Sequence, residues 1–148
     1  MFKQLLHALF YLHQSGVAHG DLRPEHIMID DHCNVKIVDY GLTKYDDNFT
    51  DLEMLHQNTC SPHTLSPEVL SYETCYNKSE LADLFALGVI LFMMRVGHPP
   101  FTQAHQDEPY YNLLVVGRKD LFWKAHSNIK GVNSFSEEFQ DLITLMLQ

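Results

Sequence analysis

Four short groups of residues in this sequence carry side chains able to do chemistry. The first is His19-Gly20-Asp21-Leu22-Arg23-Pro24-Glu25-His26. Thirteen residues after His26 stands Asp39-Tyr40-Gly41, followed by Ser66-Pro67-Glu68 and then by Asp83. A carboxylate oxygen suits a hard divalent cation such as Mg²⁺. Arginine offers a planar, permanently charged fork for phosphate or carboxylate. An imidazole nitrogen is a poorer Mg²⁺ donor than an oxygen. Taken singly, Asp21 and Asp39 read as loop carboxylates with local hydrogen bonds. His26 reads as a locally bonded ring, since no second His, Cys or carboxylate stands beside it at ligand spacing.

The elements that must position these groups follow from periodicity. Phe2, Leu5, Leu6, Leu9 and Phe10 recur at helical spacing, and Gly16 stands where a helix would stop. Residues 27–29 and 35–38 read as two short strands, with Asp30, Asp31 and Asn34 supplying the turn. Residues 39–66 hold no sustained period and read as one long loop, a class of segment that is usually functional. Its acidic stretch, Tyr45 to Glu53, reads as a solvated loop. A helix apolar nearly all round, and therefore buried, is expected from Ser79 to Val96, ended by Gly97 and Pro99-Pro100. In it, Met93 and Met94 read as core. Shorter helices are expected over 110–116 and 121–126. A last one is capped by Ser136, with Phe139, Leu142, Ile143, Met146 and Leu147 as its apolar stripe.

Composition narrows the classes. The chain has 148 residues and a net charge of −9, which argues against nucleic-acid binding as its main function. Hydrophobic residues make up 45%, enough for a folded core. The longest apolar run, Leu84 to Met94, is too short to span a bilayer, so no membrane role is expected. Three cysteines without CxxC spacing (Cys33, Cys60, Cys75) disfavour both a disulfide framework and a zinc ribbon. An intracellular setting, cytoplasmic or nuclear, is the expectation. No repeat or linker divides the chain.

The order and spacing of the four groups, on loop, hairpin, loop and buried helix, resemble the C-terminal lobe of a eukaryotic protein kinase. The resemblance covers residues 1–148, from the middle of the long helix before the catalytic loop to the penultimate helices. Leu22-Arg23-Pro24-Glu25 is similar to the Ser/Thr type. It implies a mainly α fold with a small β-hairpin, half of an α+β two-lobe domain. It implies transfer of the γ-phosphate of Mg–ATP to a hydroxyl of a protein substrate. Asp21 matches the catalytic Asp that orients the hydroxyl and accepts its proton, and Arg23 the cation near the γ-phosphate. Asp39 matches the Mg²⁺ ligand, and His26 the second-metal position, where the family has Asn. Met28 and His26 fall on the nucleotide side. His19 matches a structural histidine packed beneath the aromatic at Tyr40, next to Gly41. Ser61 keeps a hydroxyl directed to the catalytic Asp, Glu68 closes the long loop, and Asp83 anchors the catalytic-loop backbone.

The departures carry expectations too. Gly20 replaces the Arg that grips a phosphorylated loop, so control through that Arg is lost. Thr64 lacks the ring of the family's Tyr. The Gly-rich loop, the strand Lys and the helix Glu of the nucleotide lobe do not occur in this sequence, and Glu68 is expected to lack its Arg partner. Two alternatives stand beside an active kinase: a pseudokinase binding or scaffolding module, and an inactive truncated fragment.

Overall fold

The computed structural model describes residues 1–40, 61–71, 79–127 and 135–148. Helix α1, Phe2–Gln14, ends where Gly16 takes a left-handed φ of 67°, which only glycine adopts without strain. A 3-10 turn, Pro24–His26, leads into strand β1, Ile27–Ile29. Strand β2, Val35–Ile37, pairs with it antiparallel, Met28 opposite Lys36. The Asp30 carboxylate builds the connecting turn by accepting the backbone N–H groups of His32 and Asn34, each at 2.9 Å. A second 3-10 turn, Pro62–Thr64, precedes the one-turn helix α2, Pro67–Leu70. Helix α3 is Ser79–Val96, α4 Pro109–Val115, α5 Lys119–Ser127 and α6 Glu137–Met146. The described residues are thus mainly helical with one hairpin, as expected. Gly41, Cys60, Cys75 and the acidic stretch lie outside them.

Helix α3 is the axis of the molecule because it faces two cores at once. Ala86, Leu87 and Ile90 pack with Leu5 and Leu9 of α1, Leu22 and the hairpin residues Ile27, Val35 and Ile37. Phe85, Val89 and Phe92 point the other way, into an aromatic cluster with Phe101, Tyr111, Phe122, Trp123 and Phe135. Helix α6 closes both sides through Met146 and Leu147. It can approach only because residue 88 is glycine. A Cβ there would meet Met146 Cβ at 2.8 Å and Leu147 Cδ2 at 3.3 Å.

Four apolar residues depart from the expected faces. Leu6 and Phe10 are exposed, as only the Leu5–Leu9 line of α1 meets α3 and the hairpin. Met94 and Leu142 are exposed for the same reason: Met93 and Ile143 take the inward positions beside them. On α6 the buried Thr144 supplies what the stripe omitted, accepting the Trp123 indole N–H at 3.4 Å. Ser136 caps α6 as expected, its hydroxyl accepting from Phe139 N–H at 3.3 Å.

His126 sits within the aromatic cluster, edge-on to Phe92 and Phe122 with centroids 4.9 and 4.6 Å away. Burial, helped by the neighbouring His98 and opposed by a bond to the Pro100 backbone, pushes its pKa down to about 4.

Two outcomes follow from this packing. Gly88→Ala gains about 1 kcal/mol of helix propensity but forces α6 outward. We expect a net loss of about 1–2 kcal/mol, read as a lower Tm, and a raised Tm would show that α6 is not held. Above pH 6.5 His126 is neutral in both the folded and the unfolded chain. Below it the unfolded chain takes up a proton that the folded one refuses until about pH 4. Stability in urea should therefore fall as pH drops through that window, and His126→Phe should flatten the slope.

Candidate catalytic loop and cation site

The site is assembled around one buried carboxylate. Asp83 lies in the second turn of α3 and is 1% exposed. Its Oδ2 accepts the backbone N–H of His19 at 2.7 Å, and its Oδ1 that of Gly20 at 2.9 Å. The His13 ring, at the end of α1, approaches the same Oδ2 with Nε2 at 2.9 Å. The turn at Gly20 has a φ of 79°, a value for which glycine is the natural residue. Asp83 therefore ties α1, α3 and the loop Val17–Arg23 together, as expected of an anchor. His13 was not anticipated: its partner stands seventy residues away and no local pattern marks it.

Two stacked histidines continue the structure. The His19 and His26 rings lie 5.8 Å apart and nearly parallel, at 13°. His19 is fully buried, and desolvation lowers its pKa. It donates Nε2–H to the Val38 carbonyl (3.1 Å), while its Nδ1 accepts the Asp21 N–H (3.3 Å). These bonds fix the neutral Nε2–H tautomer. His26 donates Nδ1–H to the Asp21 carbonyl (2.8 Å) and receives the Arg23 Nε–H on Nε2 (3.3 Å). The ring over His19 is thus that of His26. Tyr40, expected to pack there, is 56% exposed, and this corrects the sequence reading.

The acidic groups lie on both sides of His26. Asp21 Oδ2 is 3.6 Å from His26 Nδ1 and 3.6 Å from Arg23 Nε. Asp39 Oδ2 is 3.9 Å from His26 Nε2, and its side chain is 68% exposed. The fold therefore brings Asp21, Arg23, His26 and Asp39 into one site. Met28 is exposed on β1, beside this group in sequence but solvent-facing. A solvent-open Asp39 carboxylate beside an imidazole nitrogen is a donor set that suits a divalent cation. Among the described residues no cluster of three or more His, Cys, Asp or Glu could hold a metal. Two protein donors fit a cation whose other ligands are phosphate oxygens and water.

The second half of the loop packs behind the first. Thr64, Ser66 and Asp83 line a narrow cavity with Gly20 and Asp21. Thr64 is buried, and its hydroxyl donates to the Ser61 carbonyl at 2.9 Å. The Ser66 hydroxyl is buried and has no hydrogen-bond partner among the described residues. Glu68 forms no ion pair among the described residues, and it adds to the burial that raises the Tyr111 phenol pKa. Sequence reasoning also missed Glu108, a buried carboxylate that caps α4. It accepts Tyr111 N–H at 2.7 Å and Thr102 N–H at 3.3 Å. Its one sequence signal was the Pro109 that follows it, since proline favours the first helical position.

A helical lobe carrying a hairpin, whose catalytic loop is clamped from below by a buried aspartate, defines the kinase-type C-terminal lobe. The protein kinase domain profile matches residues 1–148, and the chain belongs to that family. CBL-interacting protein kinase 1 of Oryza sativa subsp. japonica is 41% identical over 119 residues, 80% of this chain and 24% of that protein. CBL-interacting serine/threonine-protein kinase 15 of Arabidopsis thaliana is 38% identical over 124 residues, 84% of this chain and 29% of that protein. CBL-interacting protein kinase 11 of Oryza sativa subsp. japonica is 34% identical over 146 residues, 99% of this chain and 26% of that protein. The chain thus spans about a quarter of the length of these relatives.

The clamp gives a direct test. Asp83→Ala leaves two buried backbone N–H groups and a histidine without their acceptor, each orphan costing about 1–3 kcal/mol. Urea unfolding should show a loss of about 3–5 kcal/mol. Asp83→Asn, which keeps one acceptor oxygen, should lose less. Equal losses would show that the carboxylate's hydrogen bonds are not what holds the loop.

Proposed function

We propose that residues 1–148 form the catalytic-loop half of a serine/threonine protein kinase. The observation that carries this reading is the convergence of Asp21 and Asp39 on His26, with Arg23 Nε beside both Asp21 Oδ2 and His26 Nε2. ATP with Mg²⁺ supplies a transferable γ-phosphoryl group when bound. Asp39 would hold the cation, and Met28 would border the nucleotide. The Asp21 carboxylate, held by its loop rather than by a long flexible chain, would orient a substrate hydroxyl and accept its proton. Arg23 would place permanent positive charge near the transferring phosphate. The relatives named as serine/threonine-protein kinases support a protein hydroxyl as acceptor. Nucleic acid is not a partner in this reading, in keeping with the charge of −9. An intracellular setting, cytoplasmic or nuclear, belongs to the same proposal. Among the described residues no helix is long and apolar enough to cross a membrane.

Gly20 and His26 favour a second reading, a pseudokinase module that binds without transferring. One assay separates the two. A polypeptide joining this segment to a nucleotide-cradling lobe is given radiolabelled ATP, Mg²⁺ and a basic protein. Transfer is expected, reduced about 10²–10⁴-fold by Asp21→Asn and abolished by Asp39→Ala. Full activity in Asp39→Ala would overturn the assignment. Absence of transfer by the parent polypeptide with any divalent cation would favour the binding module.

A further inference from the structure

We propose that the position held by His26 makes this a cation site for divalent first-row transition metals, from Mn²⁺ through Co²⁺ to Zn²⁺, in preference to Mg²⁺. The inference rests on the kinase reading only in taking Asp39 as a cation ligand. Its carrying observation is the pairing of His26 Nε2 with Asp39 Oδ2 across 3.9 Å. Two ligands bonded to one cation at about 2.0–2.2 Å each stand about 3.0 Å apart in octahedral and about 3.4 Å in tetrahedral geometry, so the Asp39 carboxylate would close on the ring by about 0.5–0.9 Å. The two residues flank the hairpin in sequence, and its pairing of Ile27 with Ile37 brings them to the same open end.

The ring is prepared as metal-ligating histidines usually are. Its other nitrogen, Nδ1, donates to a backbone carbonyl, that of Asp21, at 2.8 Å. Such a bond fixes the tautomer, aims the free lone pair and raises the basicity of the ligating nitrogen. The stacked His19 ring, itself held at both nitrogens, keeps His26 from rotating away. Arg23 is the resident partner of that lone pair, but its Nε–H lies at a long 3.3 Å. A cation at Nε2 would displace it, and Arg23 has Asp21 Oδ2 at 3.6 Å and Glu25 Oε2 at 4.0 Å to fall back on. Asp39, being largely exposed, can turn its carboxylate without breaking any packing. Mg²⁺ prefers all-oxygen ligation, whereas an imidazole favours the first-row transition series. With only two protein donors, water or nucleotide phosphate oxygens complete the shell.

The test uses Mn²⁺ as the probe and needs no turnover. Pulsed electron paramagnetic resonance of Mn²⁺ with the 148-residue chain, with and without ATP, should show ¹⁴N coupling from one imidazole. His26→Asn, which retains an N–H for the Asp21 carbonyl, should abolish that coupling. It should also lower the preference for Mn²⁺ over Mg²⁺, read by competition, at least about tenfold, since even losing a partner of a metal ligand costs that much. Asp39→Asn, at an exposed position where folding is not at stake, should weaken Mn²⁺ binding. Absence of ¹⁴N coupling in the parent chain overturns the proposal. So does coupling that persists in His26→Asn, because the signal then belongs to another of the ten histidines. A chain that shows the coupling but transfers no phosphate in the completed polypeptide overturns the kinase reading instead.

Discussion

Everything at the site depends on a single buried carboxylate meeting the backbone of a loop. Asp83 has three hydrogen-bonding neighbours: two consecutive backbone N–H groups and the His13 ring. Burying a charge is costly unless such bonds replace its water. The bonds that satisfy Asp83 are also what fix the loop, so the carboxylate's stability and the loop's geometry are one quantity. The anchor itself does not move, because α3 is packed on two faces. Ala86, Leu87 and Ile90 meet α1 and the hairpin, and Phe85, Val89 and Phe92 meet the aromatic cluster. A rigid helix thus sets the position of Asp21, two residues beyond His19, without itself lining the cation position.

The two histidines extend this rigidity toward Asp39. His19 joins the loop to the end of the hairpin through the Val38 carbonyl, one residue before Asp39. His26 joins the start of the hairpin back to the Asp21 carbonyl. Asp21 and the residue before Asp39 are therefore linked to the two rings through backbone groups, and each ring is fixed in one tautomer by a donor and an acceptor. An Asn at 26 would offer one donor and one acceptor in a similar way, but its acceptor would be oxygen. The His26 ring preserves the loop's hydrogen bond while changing the element presented to a cation. Structure and cation preference are separable at this residue.

What the sequence revealed, and what it did not, follows from the range of the interactions. Helix existence and the hairpin were legible because each is a local pattern closed by local signals, such as Gly16, the Asp30 turn and Ser136. The phase of each stripe was legible as well. Which half of a stripe finds a neighbour is a tertiary fact, so Leu6, Phe10, Met94 and Leu142 were misplaced. Within the site, Asp21, Asp39 and Asp83 were legible from the order of motifs. The His13–Asp83 contact and the His19–His26 stack were not, since each depends on how separate segments fold back on one another, whereas the approach of Asp39 to His26 follows from the hairpin between them. Tyr40 is 56% exposed, a tertiary outcome that its residue type does not foretell.

Gly20 shows how one substitution can alter both strain and regulation. Its N–H must point at Asp83 Oδ1, and the chain accomplishes this with a φ of 79°. A side-chain-bearing residue held in that region stores about 1–3 kcal/mol of strain, which surrounding contacts must overcome. An arginine there would have to recover this through ion pairs, for instance to an anionic group on the loop that follows. Glycine removes the strain and the cation together. Among the described residues the loop is held by Asp83 and the paired histidines, and position 20 carries no side chain through which a phosphate could tighten it.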